Sequence, residues 1–503
     1  MDTKKKFFDY IENGYTTKGD FINLGAAMLG EDTVTNAFVK LPLKTFNRHG
    51  LIAGATGTGK TKTLQVFAEN LSNAGVPVLL MDVKGDLSGL AKASSGHPKI
   101  DERHKKIGFP FEAKEFPIEI LTISEQDGTR MRATVAEFGP TLLSRILDLS
   151  ETQSGILAVL FKYCDDNKLP LLDLKDLKKI LQFATRKGKS ELEENYGRIS
   201  TASTGAILRR IVEIEQQGGE LFFGEKSFEI DDLLRVNDNG NGIISVLRLT
   251  DIQDRPKLFS TFMLQLLAEI YETLPEQGDS GRPELIMFID EAHLIFKEAS
   301  KALLNQIESI VKLIRSKGVG IYFVTQNPKD IPSAVLSQLG LKVQHALRAF
   351  TANDRKAIKL AAQNYPDSEY YDTATVLTQL GIGEALVSGL NEKGIPTPLV
   401  RTMLRAPMSR MDILSSNEIQ KVINSSVIYN KYAKEIDRES AYELLIDKIE
   451  NINKEIEQKE EKKKKKIKTT SNRRSTRMNP ILKVVTSATF IRGVLGILKK
   501  VMR

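Results

Sequence analysis

The stretch IAGATGTGKT, residues 52–61, decides how the rest of the chain is read. Two apolar residues lead into a run of small ones, and Lys60 and Thr61 close it. Gly54, Ala55, Thr56, Gly57, Thr58, Gly59, Lys60 and Thr61 fit the pattern G-x-x-x-x-G-K-[ST]. Glycines let a backbone curl until successive amides point at the phosphates of a nucleotide. A following helix adds the positive end of its dipole. Lys60 reaches the β- and γ-oxygens, the Thr61 hydroxyl can ligate Mg2+, and Lys62 completes the expected nucleotide-binding stretch. The flanks agree with this reading. HGLIAG (49–54) is a short apolar strand entering the loop, and KTKTLQVFAENLSNAG (60–75) is a helix leaving it.

Such a loop needs an acidic partner at the end of a neighbouring strand. LIMFIDEAH (285–293) supplies five apolar residues and then Asp290 and Glu291. Asp290 would hold the Mg2+ hydration shell, and Glu291 would polarise the attacking water. A solvated helix cap is the plainer alternative for Glu291. The letters DEAH also open a motif of another helicase class, whose remaining motifs are absent. VGIYFVTQNP (319–328) places Gln326 at the tip of a further strand, where it can sense a γ-phosphate or merely cap a turn before Pro328. Arg315, in VKLIRSKG, is a candidate arginine finger acting on a neighbouring subunit, with a surface salt bridge as the bland reading. Arg348, in HALRAFTANDR, is a second candidate for that role. No guanine-reading [NT]-K-x-D follows the Asp290 strand, so ATP is the expected nucleotide.

Further apolar runs bounded by turn or polar residues, VPVLLMD, NGIISVL and LKVQHAL, read as strands separated by helices. Together with the strands above they predict an α/β fold: a mostly parallel sheet covered by helices on both faces. Residues 135–235 read as mostly helical and interrupt that sheet as an insertion. At 503 residues, with 41% hydrophobic and 27% charged residues, the chain has the composition of a folded protein. Its single cysteine, Cys164, excludes internal disulfides, suits a reducing cytosol and is expected to be buried. MDTKKKFFDYIENGY has no apolar stretch fit for a signal peptide, and nothing is long and apolar enough to span a membrane. A cytoplasmic protein is therefore expected.

The net charge of +8 is unevenly spread. From Lys459 to Arg503 there are 10 Lys and 5 Arg against 2 Glu, a local +13 that leaves −5 for the rest. Overall charge thus makes no case for DNA binding by the body; only local basic stripes would attract phosphates. Tyr442, Leu445, Ile449, Ile452 and Ile456 form a two-heptad apolar seam, too short to assert a coiled coil.

RHGLIAGATGTGKT, LLMDVKGDLSGL, FIDEAH and GVGIYFVTQNP, in that order, resemble the bacterial HerA-like ATPases of the YjgR type, within the FtsK–HerA superfamily of P-loop motors. The resemblance runs from about residue 20 to the terminus. It implies a RecA-like core assembling as a homo-hexamer, with ATP and Mg2+ at subunit interfaces and double-stranded DNA in a central channel. Carried over, Lys60 and Thr61 bind phosphates and metal, Asp290 supports the metal, Glu291 activates water and Gln326 senses the γ-phosphate. Asp82, in the MDVKGD segment that is similar to the family's D-x-K-G-E, would assist beside the nucleotide. Two departures stand out. Archaeal HerA-type proteins carry a β-barrel of roughly a hundred residues before the P-loop, whereas 53 residues precede Gly54 here. Arg315 takes the place of their arginine by counting back from the glutamine, but within Ile314-Arg315-Ser316 and not G-R-K.

The expected organisation is an N-terminal segment (1–48), the first part of the RecA-like core (49–134), a helical insertion (135–235) and the second part of the core (236–408). After these come a helical region (409–458), a basic flexible linker (459–479) and a basic amphipathic tail helix (480–503). The expected activity is ATP-driven translocation or remodelling of duplex DNA. The alternative is a nucleotide-switched regulatory ATPase that recruits an effector protein without moving along DNA. KASSGHPK (92–99) is a candidate channel loop or an ordinary surface loop. For the tail, docking on a neighbouring subunit leads, ahead of nucleic-acid contact and of membrane association.

Overall fold

Five-residue apolar runs without alternation have no face to show to water, so they settle between two covering layers. In the computed structural model, which describes residues 2–471 apart from 253, 279, 298–300 and 435, these runs form the middle of one twelve-stranded sheet. Its strands are β1 (Phe21–Leu29), β2 (Asp32–Pro42), β3 (Gly50–Ala53), β4 (Val78–Asp82), β5 (Ile118–Thr122) and β6 (Thr129–Arg130). β7 (Ile244–Arg248), β8 (Leu285–Ile289), β9 (Val319–Thr325), β10 (Leu341–Gln344), β11 (Glu384–Ser388) and β12 (Val400–Leu404) complete it. Their spatial order is β2-β1-β12-β11-β10-β3-β9-β8-β4-β7-β5-β6. Pairings from β10 through to β6 are parallel, whereas β2, β1, β12, β11 and β10 are joined antiparallel. Helices cover both faces, as the sequence predicts.

Parallel pairing has one consequence that governs everything below. The carboxyl ends of β10, β3, β9, β8 and β4 all emerge at the same sheet edge, side by side in that order. Neighbouring strands lie about 4.8 Å apart, so residues leaving β3 and β8 start about 10 Å from one another. At the opposite edge, His49 ties the start of β3 to that of β9. Its Nδ1 accepts the Ile321 amide proton at 3.0 Å, which leaves Nε2 to donate to the Val311 carbonyl at 2.7 Å. Burial pushes its pKa down to about 4, so the ring stays neutral.

The antiparallel edge is built from residues on both sides of the core. The N-terminal segment forms a helix, Asp2–Gly14, and the β1–β2 hairpin, and β1 then pairs with β12. Between β6 and β7, residues 135–222 form six helices. Thr134, Ser150, Asp173 and Ser200 accept amide protons at the starts of four of them, satisfying donors the helix itself cannot. Cys164 is buried in one of these helices, Glu151–Asp166, and burial pushes its thiol up to about 12.

The chain divides into two units, Met1–Tyr442 and Glu443–Arg503. The helix Ala441–Ser471 carries the apolar seam and continues through residues 459–471, where the sequence reading expects a flexible linker. Lysine and glutamate are good helix formers, which accounts for the difference. The predicted tail helix, 480–503, lies outside the described residues. No described helix is long and apolar enough to cross a membrane.

Candidate nucleotide site

β3 ends at Ala53, and the chain turns away at Gly54 with φ +154°. A Cβ on Gly54 would stand 2.5 Å from the His345 Cβ, so the turn admits only glycine. The loop is fixed to both flanking strands: the Gly54 amide donates to the Thr325 carbonyl (3.3 Å), and the Ala55 amide to the Ala346 carbonyl (2.9 Å). Thr58 Oγ1 closes the loop on the Ala55 carbonyl at 2.7 Å. Gly59, at φ +109°, then caps the helix Lys60–Asn73 without a side-chain hydrogen bond. The leading amides of that helix are therefore donors with neither an intrahelical nor a capping partner. Lys60 is 6% exposed and folds over the loop, its Nζ donating to the carbonyls of Gly54 (2.7 Å) and Ala55 (3.1 Å). Burial lowers its pKa and the Lys84 ammonium adds to this, while Glu291 and Asp290 oppose it. Thr61 is half-buried one position further on. Lys62 donates to the Met411 carbonyl, turning toward the segment behind the helix.

The acidic pair arrives from β8. Asp290 and Glu291 are 5% and 6% exposed, which rules out the solvated-cap alternative for Glu291. Glu291 adopts φ +46°, a left-handed conformation that costs a side-chain-bearing residue free energy and is found where surrounding structure imposes it. Burial pushes the Asp290 carboxyl up to about 6, with Lys84 opposing and the Glu291 charge reinforcing. For Glu291 burial also acts upward. The hydrogen bond and charge of Lys84 outweigh it, helped by His293 and Gln326, and hold the carboxyl below the usual range. Gln326 thus reaches Glu291 from the end of β9, the strand lying between β3 and β8.

Asp82 differs from the expectation. Its carboxylate accepts the amides of Gly85 (2.7 Å), Asp86 (3.2 Å) and Leu87 (3.1 Å), so it is spent on building its own turn. The turn presents Lys84, whose Nζ lies 2.6 Å from Glu291 Oε1 and 3.9 Å from Asp290 Oδ2. Lys84 is the site residue that sequence reasoning missed. The signal was there, in the K of MDVKGD, but a lysine in a glycine-rich turn usually points to water.

The two arginines fall on different edges. Arg315 lies just before β9, at the end of the sheet opposite Lys60, where its charge helps to lower the His49 pKa. A seven-residue strand of about 3.3 Å per residue separates it from its own loop. Arg348 is exposed beyond β10, on the same edge as the loop.

These residues suit a magnesium nucleotide by the chemistry of their donors. The glycine loop leaves a cradle that a Cβ at Gly54 would disrupt, an ammonium and uncapped amides line it, and hard oxygen ligands face it. Loop, carboxylates and sheet order together are those of a RecA-like P-loop NTPase. Residues 28–495 match the model of the helicase HerA-like C-terminal family, and the chain belongs to that family. It is similar to the DNA double-strand break repair helicase HerA of Saccharolobus solfataricus, at 24% identity over 415 residues, covering 81% of this chain and 75% of that one. Among solved structures it resembles the plasmid coupling protein TrwB in complex with the non-hydrolysable ATP analogue ADPNP, with a TM-score of 0.51 at 17% identity over 79% of this chain and 99% of that one. TrwB in complex with ADP and Mg2+ matches with a TM-score of 0.50, at 16% identity over the same shares.

Proposed function

We propose that this chain is a ring-forming ATPase that hydrolyses ATP between subunits to translocate or remodel double-stranded DNA. One observation carries the proposal: parallel strands bring the Lys60 loop, Gln326 and the Asp290–Glu291 pair to one sheet edge, with Gln326 between the other two. The relatives support nucleotide and DNA, since the similar Saccharolobus protein is a DNA double-strand break repair helicase and TrwB is found in complex with ADPNP and with ADP and Mg2+. Magnesium ATP, when bound, supplies the phosphoanhydride and a cation that draws charge from it. The amides from Gly57 to Thr61 and the Lys60 ammonium grip phosphate oxygens, with Gly54, Ala55 and Thr56 shaping the loop. Thr61 and Asp290 hold the metal. Glu291 takes a proton from the attacking water, and Gln326 orients that water against Glu291.

Six copies in a ring would give Arg315 its task, because its position bars it from its own loop. Arg315→Ala is expected to leave nucleotide affinity unchanged and to lower kcat about 10³-fold or more in the assembled protein. Steady-state hydrolysis beside equilibrium binding checks this. Full activity would transfer the role to Arg348 or abolish it. DNA dependence tests the motor itself: duplex DNA should stimulate hydrolysis severalfold, and the stimulation should fall steeply as salt rises. A rate indifferent to duplex DNA would favour the nucleotide-switched ATPase that recruits a protein partner, a reading to which the −5 charge of the body lends some weight.

A further inference from the structure

Lys84 belongs to none of the expected catalytic roles, yet its ammonium is the counter-ion of the residue cast as general base. The Asp82 carboxylate clamps three amides of the turn and so fixes the root of the side chain. β4 lies next to β8, and from there Nζ contacts Glu291 Oε1 at 2.6 Å while standing 3.9 Å from Asp290 Oδ2. Its own side chain is one-third exposed, on a flexible four-carbon stem, whereas both carboxylates are buried. Its charge is felt by Lys60, so the two ammoniums share one electrostatic environment.

Resting on the nucleotide-site reading above, we propose that Lys84 is a shared counter-ion for which Glu291 and the terminal phosphate of ATP compete. A charge pair at 2.6 Å keeps the Glu291 carboxylate engaged and turned toward Lys84. Engagement of Lys84 by a γ-phosphate releases Glu291, so recognition of the triphosphate and arming of the base are one event. ADP has no third phosphate and leaves the pair intact. Lys84 thus meets the terminal phosphate itself and frees Glu291 in doing so, which lets the site tell ATP from ADP.

The test is a double-mutant cycle read by calorimetric binding of Mg·ATPγS and Mg·ADP to the full chain, with thermal melting to check folding. Lys84→Ala should lose about ten- to a hundredfold in ATPγS affinity, the size of a lost charged hydrogen bond, and keep its ADP affinity. Lys84→Gln should behave alike, and Lys84→Arg should recover part of the loss. Glu291→Gln, which removes the competitor, should bind ATPγS more tightly than the native chain, and that gain should vanish in Lys84→Ala/Glu291→Gln. A gain that persists in the double variant shows simple relief of charge repulsion and overturns the proposal. Equal losses for ATPγS and ADP, or none, overturn it as well. Should Lys60→Ala weaken binding while the cycle shows no coupling, only the shared counter-ion falls. If the native chain binds neither nucleotide, the reading of the site falls with it.

Discussion

Glu291→Gln is expected to retain ATP and to hydrolyse it about 10²- to 10⁴-fold more slowly than the native chain, the span over which a positioned general base accelerates proton transfer. The substitution keeps the volume and the planar head group, so packing around a residue 6% exposed is disturbed little. It removes the charge that would take the proton of water. The backbone at φ +46° is imposed by the turn that hydrogen-bonds the Ala292 amide to the Val324 carbonyl at 3.0 Å, and it does not depend on the carboxylate. Quench measurements of phosphate release beside equilibrium ATP binding separate the two effects. A variant that turns over ATP at the native rate would assign the base elsewhere, and His293, 3.3 Å from Glu291 Oε2, would be examined first.

Lys60→Ala should go further, abolishing turnover and weakening binding as well. The ammonium is buried and, among the described residues, donates to carbonyls of its own loop, Gly54 and Ala55, with no carboxylate pair to break before it meets phosphate. Losing a charged donor at that position costs about 1.5–3 kcal/mol for each phosphate hydrogen bond it makes, or about ten- to a hundredfold in affinity. Hydrolysis should drop below detection, because charge stabilisation in the transition state is lost as well. The loop itself should survive. Thr58 Oγ1, the Gly54 amide and the Ala55 amide hold its shape without the lysine, so melting temperature should change little while nucleotide-induced stabilisation shrinks.

What could be read in advance follows burial. β3, β4, β8 and β9 are buried along their whole length, so their apolar runs stand out from the surrounding helices. Strands at the antiparallel edge hide their pattern. β12 holds Arg401 and Thr402 inside, and the arginine is buried because Glu384 on β11 pairs with it at 2.7 Å. β5 does the same with Glu119, which Arg235 neutralises at 2.7 Å. A partner distant in sequence turns a charged residue into a core residue, and a single chain read locally has no way to announce that. At the candidate site, the glycine loop and the acidic pair stand out because each is a contiguous motif in the sequence, and the fold brings both to one sheet edge. That Asp82 turns away and Lys84 meets the acidic pair was hidden for a different reason. Whether a carboxylate at a strand end faces the cleft or bends back onto its own turn depends on amides that only the folded turn brings together.

The most direct measurement is the position of a bound nucleotide: a crystal or cryo-microscopy structure of Glu291→Gln soaked with ATP and magnesium. The triphosphate is predicted to lie along residues 54–61, with the metal between Thr61 and Asp290 and position 291 facing the terminal phosphate. Nucleotide bound elsewhere, or a triphosphate that leaves Asp290 and position 291 out of reach, would contradict the assignment of this sheet edge as the catalytic one.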